Sequence, residues 1–101
     1  MSNRRTPSSP VPTAFEALGF PPEEAEHLRV RADLMLALSR LITERGWTQA
    51  EAARALGVTQ PRVSDLVRGK IDRFSVDTLV SLLARAGADV AVTVRSRRSA
   101  A

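Results

Sequence analysis

The chain has 101 residues, 44% of them hydrophobic but only 4% aromatic, and a net charge of +4; this allows one domain whose modest core is built from Leu, Val, Ile and Ala. It contains no cysteine, which excludes disulfides and thiolate metal sites and fits a reducing compartment. No apolar run approaches the ~20 residues that span a bilayer, and no apolar stretch follows Arg4 and Arg5, so neither an anchor nor a secretory signal is expected and cytoplasmic residence is the default.

Met1 to Thr13 is rich in Ser, Pro and Arg and reads as a disordered tail. Ala14 to Leu18 suits one helical turn ended by Gly19, with Phe15, Leu18 and Phe20 as apolar anchors. A long helix is predicted from Pro22, where Glu23, Glu24 and Glu26 favour the positive end of the helix dipole. Ala25, Leu28, Ala32, Met35, Leu38 and Ile42 recur at helical spacing, Leu34 and Leu41 widen the stripe, and Gly46 ends it. Trp47 is expected in the joint between helices. Thr48 to Glu51 has the form of a capping box, so the next helix starts near Gln49. Gly57 stops it, because the chain must reverse there with positive φ.

Thr59 is predicted to cap a third helix of the bundle, with Pro61 in its first turn where the missing N–H does no harm. Gly69 ends it, and Lys70 to Phe74 form a loop with Ile71 and Phe74 turned inward. Ser75 caps a further helix in which Val76, Leu79, Val80, Leu83 and Ala86 form the buried face, closed by Gly87. Val90, Val92 and Val94 then alternate with Ala91 and Thr93, which is a strand signal over 89–95. A lone strand leaves its backbone unpaired; antiparallel pairing with a second copy, giving a two-fold dimer, is the simplest remedy. The fold class expected is therefore mainly α: a bundle of four to five helices with one C-terminal β-strand, over residues 14–94. A flexible basic tail covers 96–101. The net positive charge favours a polyanion, but much of it lies in Arg4, Arg5, Arg95, Arg97 and Arg98, where solvated ends are an equal reading.

The chemistry concentrates at 48–69. Small Ala53 lets two helices cross closely, and Val63 and Leu66 turn the second toward the core. Gln60, Arg62, Ser64, Asp65 and Arg68 are left facing out. A rigid helix offering amide, guanidinium and hydroxyl groups on one face suits base edges in a DNA major groove.

The run WTQAEAARALGVTQPRVSDLVRGK, Trp47 to Lys70, resembles the helix-turn-helix of phage-repressor-like (Xre-type) DNA-binding proteins, a lambda-repressor-like fold. The family's small residue, turn glycine and buried aliphatic residue match Ala53, Gly57 and Val63. Its glutamines at the starts of the two helices match Gln49 and Gln60, and its Ser and closing Gly match Ser64 and Gly69. Pro61 departs from the family's usual small polar residue, removing a possible hydrogen bond and offering an apolar contact such as a thymine methyl. A narrower resemblance runs from Phe15 to Val94: FEALGFPPEEAEHLRVRADLM, the motif, RFSVDTLVSLLARAG and a valine strand are similar to HigA-like antitoxins. Those proteins repress their own operon and neutralise a RelE-like ribonuclease toxin.

The resemblance implies that Gln49 approaches phosphate at a helix N-terminus, the alternative being an exposed first-turn residue. Gln60 suits adenine and Arg62 guanine, although Arg62 touching only phosphate is an equal reading. Thr59 and Pro61 lie at the groove end of the same helix. Ser64 bonds phosphate or a base. Asp65 accepts from a cytosine amine, or pairs with Arg62 or Arg68. Arg68, Lys70 and Arg73 contact phosphate at the far end, and Arg54 is solvated. Val90, Val92 and Val94 are the dimer residues. Phe15, Leu18 and Phe20 either contact a toxin or complete the protein's own core.

The function implied is an operator-binding, self-repressing antitoxin, located at the nucleoid when bound. A stand-alone phage-type repressor without a toxin is the alternative, and a protein-interaction module that has lost DNA binding is a third. His27 is the one histidine; without a second His or a Cys it makes no metal site, and a surface place among Glu23, Glu24 and Glu26 is expected. No Ser/His/Asp set, phosphate-binding glycine loop or paired carboxylates point to an enzyme, and no cofactor is expected.

Overall fold

The computed structural model describes residues 14–96. The two tail segments expected at 1–13 and 97–101 lie outside the described residues. In chain order the described residues form α1 (Ala14–Ala17), α2 (Pro22–Glu44), α3 (Gln49–Leu56), α4 (Gln60–Val67), a short 3-10 turn (Ile71–Arg73) and α5 (Val76–Arg85).

Each boundary is made by residues a few positions apart. At α3 the Thr48 N–H donates to Glu51 Oε1 at 2.9 Å and the Glu51 N–H donates to Thr48 Oγ1 at 3.1 Å, so the capping box is complete. At α4 the Arg62 N–H donates to Thr59 Oγ1 at 3.3 Å, and at α5 the Thr78 N–H donates to Ser75 Oγ at 3.1 Å. Pro22 and Pro61 both sit in first turns, where no intrahelical donor is lost. Gly57 follows α3 at φ 70°, ψ 33°, and this left-handed residue lets α4 cross back over α3.

The core has a single centre. Met35, Leu38 and Ile42 of α2 meet Ala52 and Leu56 of α3, Val63 and Leu66 of α4, Phe74, and Leu79, Leu82 and Leu83 of α5. α2 is the spine, packed against α5, α4 and the 3-10 turn, while α3 packs on α4 and α5. Phe74 is only 2% exposed, although it lies between elements. Trp47 packs half-buried against this core, with the Arg45 guanidinium 5.2 Å from its ring centroid.

Three expectations are corrected. On α5 the buried face is Leu79, Leu82, Leu83 and Ala86, while Val80 is exposed; the face follows i, i+3, i+4, i+7, and Val80 stands about 100° outside it. Ala32 of α2 is half-buried rather than core. No strand exists among the described residues, so the one expected at 89–95 is absent from the single chain. Val90 packs against the core, but Val92 and Val94 are 79% and 88% exposed. The valine alternation is real; a strand also needs a ladder partner, and the described residues hold none.

Candidate nucleic-acid interface

α4 turns Val63 and Leu66 into the core and its opposite side to solvent. At ~100° per residue, Gln60, Ser64, Arg68 and Pro61 fall on one outward stripe, with Val67 beside Gln60 and Asp65 beside Pro61. Gln60, Pro61 and Arg68 are exposed, and Ser64 is half-exposed. The side chains of Gln60, Ser64 and Arg68 have no hydrogen-bond partner among the described residues, so their donors and acceptors are free for a ligand.

Arg62 and Asp65 are placed differently from the other expected readers. The Arg62 guanidinium carbon lies 4.2 Å from the centroid of the Phe74 ring, and its Nη1 donates to the Arg73 carbonyl at 2.9 Å. It points back along the fold rather than out from α4. Asp65 pairs with neither Arg62 nor Arg68. Its Oδ2 accepts from Arg73 Nη1 at 3.1 Å, and the Asp65 carbonyl accepts from the Lys70 N–H at 3.0 Å. Arg62, Asp65 and Arg73 thus lash α4 to the turn that follows it. Arg73 stays half-exposed while bridged and still adds positive charge beside the helix.

The first motif helix presents its N-terminus. Gln49 is exposed at the start of α3, and Thr59 is exposed at the start of α4 with its oxygen engaged as a cap. The start of α3 leaves the Gln49 and Ala50 N–H groups uncapped, the kind that bind phosphate oxygens, whereas at α4 Pro61 has no N–H and the Arg62 N–H is capped, leaving that of Gln60. Lys70 is half-buried after α4. Arg54 is exposed on α3.

Two further arginines fix the motif from outside it. Arg85 Nη1 of α5 donates to the Leu56 carbonyl at 3.0 Å, closing the end of α3. Arg31 Nη1 of α2 donates to the Ile71 carbonyl at 3.3 Å, holding the 3-10 turn. These bonds cross 29 and 40 residues, and no local pattern announces them. The sequence reading also left Val67 unassigned; it is 42% exposed on the α4 face.

A groove between the starts of α2 and α5 carries acidic groups. It has a volume of about 730 Å³ and is lined by Pro22, Val30 and Val76 together with Glu23, Glu26, His27 and Asp77. Glu23 and Asp77 there make it unfavourable to phosphate. Nearby, Phe15 and Phe20 pack edge-to-face with centroids 6.3 Å apart, while Leu18 is 75% exposed. Phe15 and Phe20 therefore partly satisfy one another, and Leu18 is left as the free anchor. His27 is exposed, and no group of three His, Cys, Asp or Glu side chains able to hold a metal occurs among the described residues. No helix of the described residues is long and apolar enough to cross a membrane.

Comparison with known proteins agrees with this geometry. A family model described as a helix-turn-helix domain matches residues 15–95. A solved structure named as an XRE-family transcriptional regulator is similar at 37% identity and a TM-score of 0.70, covering 77% of this chain and 91% of that one. No curated protein matches the chain.

Proposed function

Because the chain belongs to the XRE family of helix-turn-helix transcriptional regulators, we propose that α4 is its DNA-reading helix, that it binds its operator as a two-fold dimer, and that it is a repressor serving as the antitoxin of a toxin–antitoxin pair. The observation that carries the DNA-reading role is the outward stripe of α4, with Gln60, Ser64 and Arg68 free of protein partners beside two exposed helix N-termini. Gln49 and Thr59 bind phosphate at those N-termini, and Arg68, Lys70 and Arg73 bind it beyond α4.

The dimer reading rests on Val92 and Val94, two large apolar side chains left in solvent next to a Val90 already fixed on the core. Pairing this segment with its copy would satisfy the backbone and cover both valines. Two copies of α4 would then meet successive major grooves about 34 Å apart.

The antitoxin reading rests on the groove between the starts of α2 and α5. A ribonuclease needs a cationic surface for its substrate. The groove edged by Glu23 and Asp77 over Pro22, Val30 and Val76, with Leu18 exposed in the segment before α2, has the charge and the apolar floor to meet one. There the protein acts without catalysis, cofactor or metal, by occupying a surface.

Gel-shift titration of the purified chain on its own promoter region tests the first claim; specific retention is expected, and equal affinity for unrelated DNA of the same length refutes it. Co-expression with the product of the neighbouring reading frame tests the second. A stable complex that Leu18→Glu dissolves is expected. A neighbour that does not co-purify leaves a stand-alone repressor.

A further inference from the structure

The turn between α3 and α4 is tied to a helix outside the motif. The Val58 N–H donates to the Ala53 carbonyl at 3.0 Å and the Gly57 N–H to the Arg54 carbonyl at 3.3 Å, which closes α3 on itself. The Leu56 carbonyl is left over by that pattern, at the negative end of the helix dipole. Arg85, the last residue of α5, supplies its partner, with Nη1 donating to it at 3.0 Å. Gly57 makes the room, since a Cβ there would lie 3.3 Å from the same Nη1. Thr59 caps α4 just beyond this turn, so α4 starts from an elbow pinned to α5. The segment after α4 is held from a different helix, where Arg31 of α2 donates to the Ile71 carbonyl at 3.3 Å. Both flanks of α4 are thus fixed by guanidinium groups from helices that carry none of the candidate DNA contacts. A charged donor on a carbonyl is directional, whereas apolar packing permits small slides between helices.

Resting on α4 as the reading helix, we propose that Arg85 is a positioning residue for operator recognition: by holding the Leu56 carbonyl, it sets the depth and tilt at which the first turn of α4 meets the duplex. It touches no base and no phosphate. Its effect falls on contacts that need close placement. Hydrogen bonds to base edges are directional and are lost by a shift of about 1 Å, whereas attraction to phosphate acts over about 10 Å and survives it. Losing Arg85 therefore removes selectivity and leaves general affinity for DNA.

Titrations of the full chain and of Arg85→Met on the operator and on an unrelated duplex test this, at several salt concentrations and at a temperature where circular dichroism shows both folded. Arg85→Met is expected to weaken operator binding at least about 10-fold, the equivalent of one mismatched base pair. Its affinity for the unrelated duplex should stay within about 2-fold of the parent's, with the same salt slope. Arg85→Lys, which keeps a cationic donor at the end of α5, should recover most of the operator affinity. Arg85→Gln, polar but too short to reach Leu56, stands in if the methionine variant does not fold, and the same loss is expected of it. Operator binding equal to the parent's, or an equal loss on both duplexes, overturns the role. So does a salt slope lowered by about 0.9 per copy, which would make Arg85 a phosphate contact. Gln60→Ala in the same titrations separates this role from the reading it rests on. If Gln60→Ala weakens operator binding and Arg85→Met does not, α4 still reads and only the Arg85 role falls. If Gln60→Ala changes nothing, α4 is not the reader and the Arg85 role falls with it.

Discussion

The Arg62 guanidinium carbon lies over the Phe74 ring, 4.2 Å from its centroid, and Phe74 itself is buried. The pair joins α4 to the linker that leads into α5. A cation held on a ring face and hydrogen-bonded to a carbonyl has little freedom to swing toward a base. Its positive charge still contributes to the field around α4, so on the proposed reading Arg62 would act on DNA through position and potential.

Replacing Arg62 with Ala is therefore expected to cost stability before specificity. Loss of the ring contact and of the Arg73 carbonyl bond costs about 1–3 kcal/mol, lowering Tm by several degrees in a domain of this size. Thermal unfolding by circular dichroism measures this. The preferred operator bases should be the same for Arg62→Ala as for the parent chain; a loss of guanine preference with unchanged Tm would return Arg62 to the role of reader.

Gly57 sits at φ +70°, and a Cβ there would come within 3.3 Å of Arg85 Nη1, which is bonded to the Leu56 carbonyl. Gly69 has a similar φ of +73° with nothing within 4 Å. Gly69→Ala should cost the left-handed strain alone, about 1–2 kcal/mol. Gly57→Ala should cost more, because it also displaces Arg85. Chemical denaturation of the two variants side by side gives the difference, and equal losses would show that Arg85 moves aside freely.

Thr48→Ala removes one half of the capping box and is expected to destabilise the fold by about 1 kcal/mol, while Thr48→Ser retains most of it. The same melts report it. Operator affinity should fall alongside if the start of α3 positions Gln49 on phosphate, and the serine variant should recover both.

Arg68 is exposed and without a protein partner among the described residues. As a phosphate contact, its loss should weaken binding to all duplexes alike and lower the slope of log affinity against log salt by about 0.9 per contact removed in each copy. Titrations at several salt concentrations measure the slope. An unchanged slope with altered base preference would place Arg68 in the groove.

Val92→Asp with Val94→Asp should give a monomer that melts close to the parent, because both side chains are in solvent while Val90 keeps its place on the core. Sedimentation distinguishes the two states. A variant that still dimerises would put the joint on another surface.

The sequence by itself determined the helices and their ends. Thr48 with Glu51, Thr59, Ser75, Pro22 and Gly57 each act within three or four residues of themselves, so their effect survives without knowledge of the rest of the fold. The core stripe of α2 and the inward turn of Val63, Leu66 and Phe74 followed from apolar spacing in the same way. Only the tertiary structure decided which polar groups of α4 remain free. Arg62 reaches a ring and a carbonyl past the end of its helix, Asp65 bridges eight residues to Arg73, and Arg31 crosses 40 residues to the Ile71 carbonyl. The valine segment fails as a strand in one chain for a related reason: alternation chooses faces, but a ladder requires a neighbour. Such contacts depend on where helices and segments come to lie against each other, and that placement is fixed by the packing of the whole core rather than by any local run of residues.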